Sequence, residues 1–382
     1  MNKVLKTSLA MILVGVILAA IGLLAGGRIS SISLTKEGLK VYDSAKSKNV
    51  VKESFDLDKF NKIDISSYSN LSYIQIVKGE DYKLELQHDE KNKINYSVKD
   101  GVLTINDSSK EDNAIHIGFY YNNAEQGIKL YVPEDCNLDE LKIYVSSSDV
   151  KITEVDCKNI DISNEYGDVE LSNISCEDLV LKLESGDLNL TSIESKKISF
   201  ENEYGSVKIK DVNGEELSCV MDSGDFNGEN VNISKNYNIE SYYGSIDIKK
   251  SDFGNFKATL NSGDFDCNNI NISQDCDIES EYGSVNIENS SLGNFTANLE
   301  SGDIELSNIT SIKDVNIRNS YGDVELSGKL DENSFNYYLK CEDGYGTIDF
   351  NDKEYEGNYN KDNNAKYTIN ITVESGDIDL KF

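Results

Sequence analysis

Proline occurs once in 382 residues and tryptophan not at all. With so little proline, no proline-rich spacer divides the chain into stiffly linked parts. Cysteine is present, but in a pattern that excludes most of its roles. The seven residues Cys136, Cys157, Cys176, Cys219, Cys267, Cys276 and Cys341 are odd in number, and no Cys-x-x-Cys occurs. This argues against a disulfide framework and for buried, reduced thiols that pack as small hydrophobes. Only His88 and His116 could join them, which leaves a zinc site without clustered ligands. Beyond residue 50 no stretch spaces its apolar residues three and four apart, so no amphipathic helix is predicted there. Positive charge is scarce, and the net charge is −31. Such a surface favours solubility and repels nucleic acid and anionic polymers, but it suits cations or basic partners.

What the chain does have is one phrase that keeps returning. Tyr-Gly-Asp or Ser-Gly-Asp is followed by alternating apolar and polar residues, as in Tyr166-Gly167-Asp168-Val169-Glu170-Leu171. The glycines fall at Gly167, Gly186, Gly205, Gly224, Gly244, Gly263, Gly283, Gly302 and Gly322, in steps of 19 or 20 residues. Gly346 and Gly376 follow at wider spacing, and Ser147-Ser148-Asp149-Val150 is a degenerate upstream copy. A fixed period near 20 residues marks a stacked array. Alternation of period two marks strands with one buried face. Glycine at each corner is expected to supply a positive φ, with the neighbouring Asp bonding to local backbone. One unit buries too little to stand alone, so the units must stack. The prediction is an all-β, single-domain β-solenoid of about a dozen coils of ~20 residues each.

The corners also alternate in size: Tyr166, Ser185, Tyr204, Ser223, Tyr243, Ser262, Tyr282, Ser301, Tyr321. If one unit makes one coil, a bulky corner sits over a small one. If two units make one coil, the tyrosines form a ladder of their own. The first arrangement fills space better and is preferred.

The first residues read differently. Lys3 and Lys6 precede Ser8–Gly27, 20 uncharged residues that would span ~30 Å as a helix, the thickness of a bilayer core. Lysines before the apolar run place the N-terminus inside and the remainder outside. A cleavable signal peptide is the alternative, but Ala20-Ile21-Gly22 makes a poor cleavage site. The expected organisation is a cytoplasmic N-terminus over 1–7, a transmembrane signal anchor over 8–27 and a tether or short helix over 28–49. Irregular N-terminal coils follow over 50–145, regular repeats over 146–330 and C-terminal coils with a cap over 331–382. Localisation is then the cell membrane, single-pass, with the C-terminal domain extracytoplasmic.

The anchor, the run Tyr131-Val132-Pro133 before the first Leu-x-Ile strand, and the serial Ser-Gly-Asp-Ile/Val units together carry a resemblance. They resemble a bacterial membrane-anchored family of unknown function labelled putative adhesin, itself similar to the head domains of putative autotransporter adhesins. The resemblance covers about Phe55 to Phe382. It departs at Ser206, Ser245 and Ser284, where Ser replaces Asp, and at Thr347. It implies a β-helical solenoid on the cell envelope and supplies no catalytic residues.

Candidate sites are few. Stacked carboxylates at Asp168, Asp187, Asp225, Asp264, Asp303 and Asp323 could be offered to Ca²⁺, which takes six to eight oxygen ligands. The nine-residue repeat of calcium-binding solenoids is absent, however, and corner hydrogen bonding is the simpler role. Ser185, Ser223, Ser262 and Ser301 recur as corner residues rather than as one singular nucleophile beside a base. No catalytic residue, cofactor or metal is assigned. The expected role is non-enzymatic surface contact with a protein or glycan partner at the membrane. The alternatives are an envelope-stress or signalling accessory and a glycan-active enzyme.

Overall fold

The computed structural model describes residues 31–35, 38–42, 50–67, 71–89, 94–107, 115–117, 126–342 and 346–382. The predicted anchor at 8–27 lies outside these residues. Among the described residues no helix is long and apolar enough to cross a membrane, and the one helical element is a 3-10 turn at Glu332–Ser334. The stretch expected to be a tether or short helix instead carries the paired strands Ser31–Thr35 and Gly38–Tyr42, joined by Ile115–Ile117. Alternating Ile32-Ser33-Leu34 and Leu39-Lys40-Val41 are the strand signals in that segment.

Every other described strand belongs to one continuous ladder of 28 strands. It winds as a β-solenoid, the fold class expected from the repeat. The long strands Val169–Ser185, Leu188–Tyr204, Val207–Ser223 and Phe226–Tyr243 lie parallel, in register except for a shift between Gly214 and Glu216. Tyr166 faces Ser185, and Ser185 faces Tyr204. One repeat unit therefore makes one coil, as the packing argument expected, and bulky and small corners alternate up the axis.

Each coil bends at more than its glycine. Six residues past the corner a second residue takes a positive φ: Asn173, Ser192, Asp211, Asn230, Lys250, Asn269, Asn289 and Asn308 all lie between 52 and 57°. Asn and Asp tolerate this region better than most residues because their short side chains bond locally. This second hinge divides the arm after the glycine from the rest of the coil.

Inside, the side chains form columns; one alternates in volume along its length, and another does so except where Tyr237 lies over Phe256. One column runs Phe200, Cys219, Ile239, Ala258, Ile278, Ala297, Ile317. A second runs Leu217, Tyr237, Phe256, Cys276, Phe295. A large side chain over a small one lets successive layers interdigitate at native density. Where Phe253 and Phe256 crowd together, Tyr237 meets both edge-on at 5.0 and 5.1 Å between ring centres.

The seven cysteines serve this packing. All are free, and six are buried. Burial pushes the Cys157 thiol up to about 12 and holds Cys219 and Cys267 well above the ordinary thiol range. Thiols held protonated in this way are poor nucleophiles and poor ligands.

The ends of the ladder break the order of the chain. After the coil made by Val315–Tyr321 and Val324–Gly328, the next layer is not the next segment in sequence. It is the C-terminal pair Tyr367–Ser375 and Ile378–Lys381. The earlier segment, Phe335–Cys341 and Thr347–Phe350, stacks outside that pair. Glu354–Glu356 and Asn358–Lys361 then close the outer edge antiparallel.

The other end is interleaved too. Gly127–Pro133 lies between Tyr73–Gly79 and Lys83–Asp89, and Val50–Asp56 closes the edge antiparallel. Antiparallel terminal strands rich in charge and Asn give a foreign strand little to extend.

Candidate functional site

The recurring phrase sets one corner of every coil and so one edge of the solenoid. The glycine φ values along that edge run from 113° at Gly224 to 143° at Gly244. Every predicted corner from Gly167 to Gly322 falls in this column, joined by Gly376 at 148°. The backbone N–H of Gly167 donates to the Ser185 carbonyl at 3.1 Å, and that of Gly186 to Tyr204 at 2.9 Å.

The aspartates that follow the glycines form a hydrogen-bonded ladder. The N–H of Asp187 donates to Oδ1 of Asp168 at 2.8 Å, and that of Ser206 to Oδ1 of Asp187 at 2.9 Å. Asp225 accepts from Ser245 at 3.0 Å, Asp264 from Ser284 at 2.9 Å and Asp303 from Asp323 at 2.8 Å. Asp323 accepts from Asp377 at 2.8 Å. At Ser245 and Ser284 the hydroxyl takes over, accepting from Asp264 and Asp303 at 3.3 Å. The departures at Ser245 and Ser284 thus keep an acceptor in place. One carboxylate oxygen of each calcium candidate is engaged with backbone, and among the described residues no group of three or more His, Cys, Asp or Glu is placed to hold a metal ion.

The side chain two residues before each glycine's aromatic or serine partner shows a regularity that the sequence reading missed. Before the Tyr corners it is polar and buried: Asn164, Asn202, Ser241, Ser280, Asn319. Before the Ser corners it is apolar: Leu183, Met221, Leu260, Leu299, and at the last copy Val373. Asn202 Nδ2 donates to the carbonyls of Gly186 at 3.3 Å and Gly205 at 3.1 Å. Asn164 does the same for Ser148 and Gly167 at 2.8 and 2.9 Å. One buried amide thus ties two successive corners together. The signal was available as Asn-Glu-Tyr-Gly against Leu-Glu-Ser-Gly. Asn202→Ala is expected to lower unfolding free energy by about 1–3 kcal/mol through unsatisfied carbonyls, read as a shifted urea midpoint. An unchanged midpoint would show that the amide does not hold the corner.

Outside, the tyrosines stand in solvent. Tyr166, Tyr204, Tyr243, Tyr282 and Tyr321 are 56 to 64% exposed. They occur on alternate coils, ~9.6 Å apart at two strand spacings, with Ser185, Ser223, Ser262 and Ser301 between them. Tyr242 adds a second half-exposed ring beside Tyr243. Next to this edge a shallow hollow of about 320 Å³ is lined by Glu240, Tyr242, Thr259, Asn261, Glu279 and Glu281, among others. The corner serines hold no position beside a histidine: His88 is in Lys83–Asp89 and His116 in Ile115–Ile117, both outside the repeat array.

A sequence profile of the Toastrack DUF4097 family matches residues 60–253 and 233–381. The chain belongs to that family. Among solved structures it is similar to a putative adhesin of Bacteroides fragilis, at 17% identity and a TM-score of 0.40, over 63% of this chain and 97% of that one. It is also similar to a putative adhesin of Parabacteroides distasonis, at 15% identity and a TM-score of 0.31, over 72% and 97% of the two chains. A putative cell adhesion protein of Clostridium sporogenes matches at 15% identity and a TM-score of 0.20, over 87% and 99%. No curated protein matches.

Proposed function

We infer that this Toastrack chain is a non-enzymatic, membrane-anchored solenoid that works outside the cell by surface contact. The observation that carries the reading is the row of exposed tyrosines along one edge of a body filled with apolar side chains. Large rings left in water at five matching positions are costly unless something covers them, and aromatic residues are enriched where proteins meet partners. Reaction chemistry has little to work with: six of the seven thiols are buried, and the serines are structural corners. The uncharged run Ser8–Gly27 behind Lys3 and Lys6 supports an anchor with the solenoid outside.

The test is a topology reporter joined to Phe382. Phe382 packs against Phe335 with ring centres 6.2 Å apart, so a flexible Gly/Ser linker must separate the two. Alkaline phosphatase, active only outside the cytoplasm, is expected to be active on the intact chain. β-Galactosidase activity at the same position, with the phosphatase silent, would reject the placement.

A further inference from the structure

The tyrosine edge has properties that select its occupant. Its five rings repeat at ~9.6 Å, twice the strand spacing. Its backbone is already spent, because the corner N–H groups bond to the next coil at Gly167, Gly186, Gly205 and onward. An added β-strand would therefore find no ladder to join there. Its side chains also repeat at ~6.6–6.8 Å on one face, out of step with the rings. An α-helix offers ~5.4 Å per turn, and two turns overshoot the spacing by more than 1 Å at every ring. A polyproline II helix advances ~9.3 Å in its three-residue turn, needs no backbone partner, and is the conformation that aromatic-lined grooves recognise.

Charge narrows the choice further. Glu165, Glu203 and Glu281 precede tyrosines, and Glu184, Asp222 and Glu300 precede the intervening serines. No Lys or Arg lies within two residues of any corner from Gly167 to Gly322. Beside Tyr243 and Tyr282 the hollow adds Glu240 and Glu279. Rings flanked by carboxylates suit cations, which gain from the ring faces and the acids together.

We propose that the edge from Tyr166 to Tyr321 binds a basic, proline-rich protein segment in the polyproline II conformation. Each turn of that segment sets a proline against one tyrosine and a Lys or Arg toward the flanking carboxylates. The proposal rests on the surface-contact reading and gives that contact a partner of stated chemistry. A neutral glycan could stack on the same rings but would draw nothing from the acids.

The experiment titrates the full chain with fluorescent (Lys-Pro-Pro)5, (Lys-Ser-Ser)5, (Ser-Pro-Pro)5 and a neutral β-linked oligosaccharide, following anisotropy. (Lys-Pro-Pro)5 is expected to bind at least about tenfold tighter than each of the others. The triple variant Tyr204→Ala/Tyr243→Ala/Tyr282→Ala should lose that preference while keeping its circular dichroism spectrum. Tyr204→Phe/Tyr243→Phe/Tyr282→Phe should retain it. Equal binding of (Lys-Ser-Ser)5 would reduce the effect to bulk charge and overturn the proposal. So would preference for the oligosaccharide or (Ser-Pro-Pro)5, absence of binding, or binding unchanged in the alanine variant. The placement outside the cell is judged separately by the topology reporter. If the reporter places the solenoid outside while the peptides fail, the partner is wrong and the contact reading survives.

Discussion

Replacing Gly244 with valine is expected to lower the unfolding free energy by about 2–6 kcal/mol, measured from urea denaturation. Two causes add. The φ of 143° is one that residues with a Cβ rarely adopt, worth about 1–3 kcal/mol of strain. In addition, a Cβ at Gly244 would be driven into the carbonyl of Gly224 in the neighbouring coil. That backbone is held by its own ladder bonds, so relief requires moving a coil, at about 1–3 kcal/mol as for other overpacked sites. Gly357 separates the two causes. It has a φ of 72°, but a Cβ there would meet nothing within 4 Å, so Gly357→Val should show a positive-φ cost for the same side chain without the clash. If both variants shift the midpoint equally, close stacking of the corners contributes nothing.

Removing residues 367–382 should do more. These residues supply Ile369, Ile371, Val373, Ile378 and Leu380, all buried at 1% exposure or less. At about 1.5–3 kcal/mol per buried aliphatic side chain, their loss rivals the whole stability of an ordinary domain, about 5–15 kcal/mol. The damage has a direction. The layer lies between Val315–Tyr321 and Phe335–Cys341, so its removal frees the outer segment and bares a parallel edge. Because stacked repeats depend chiefly on their neighbours, the coils around Gly186 should remain folded. Limited proteolysis should cut first within 329–366 and leave a resistant fragment from the middle of the array. Loss of that fragment as well would mean that the solenoid unfolds as one cooperative unit.

The architecture was legible because its causes are local. Glycine spacing, period-two alternation and the alternation of Tyr166 with Ser185 are one-dimensional signals, and each maps directly onto a column. The second hinge at Asn173 and its equivalents was less legible, since Asn, Ser, Asp and Lys share that position and only the backbone unites them. The buried Asn202 was missed because polar residues in strands are read as facing water, although Asn-Glu-Tyr-Gly against Leu-Glu-Ser-Gly marked the position in the sequence. The interleaved ends could not be read at all. Tyr367–Ser375 looks like any other copy, and its place is fixed by which open edge its apolar face fits.

Translation delivers the chain from the N-terminus, so Phe335–Cys341 emerges well before the layer it must rest upon. Until Tyr367–Ser375 and Ile378–Lys381 have left the ribosome, that segment can only wait or dock one storey too early, against Val315–Tyr321. A nascent chain of this protein therefore cannot finish its growing end as it is made. Without Tyr367–Ser375 and Ile378–Lys381, the parallel edge of Val315–Tyr321 and Val324–Gly328 lacks the layer that covers it.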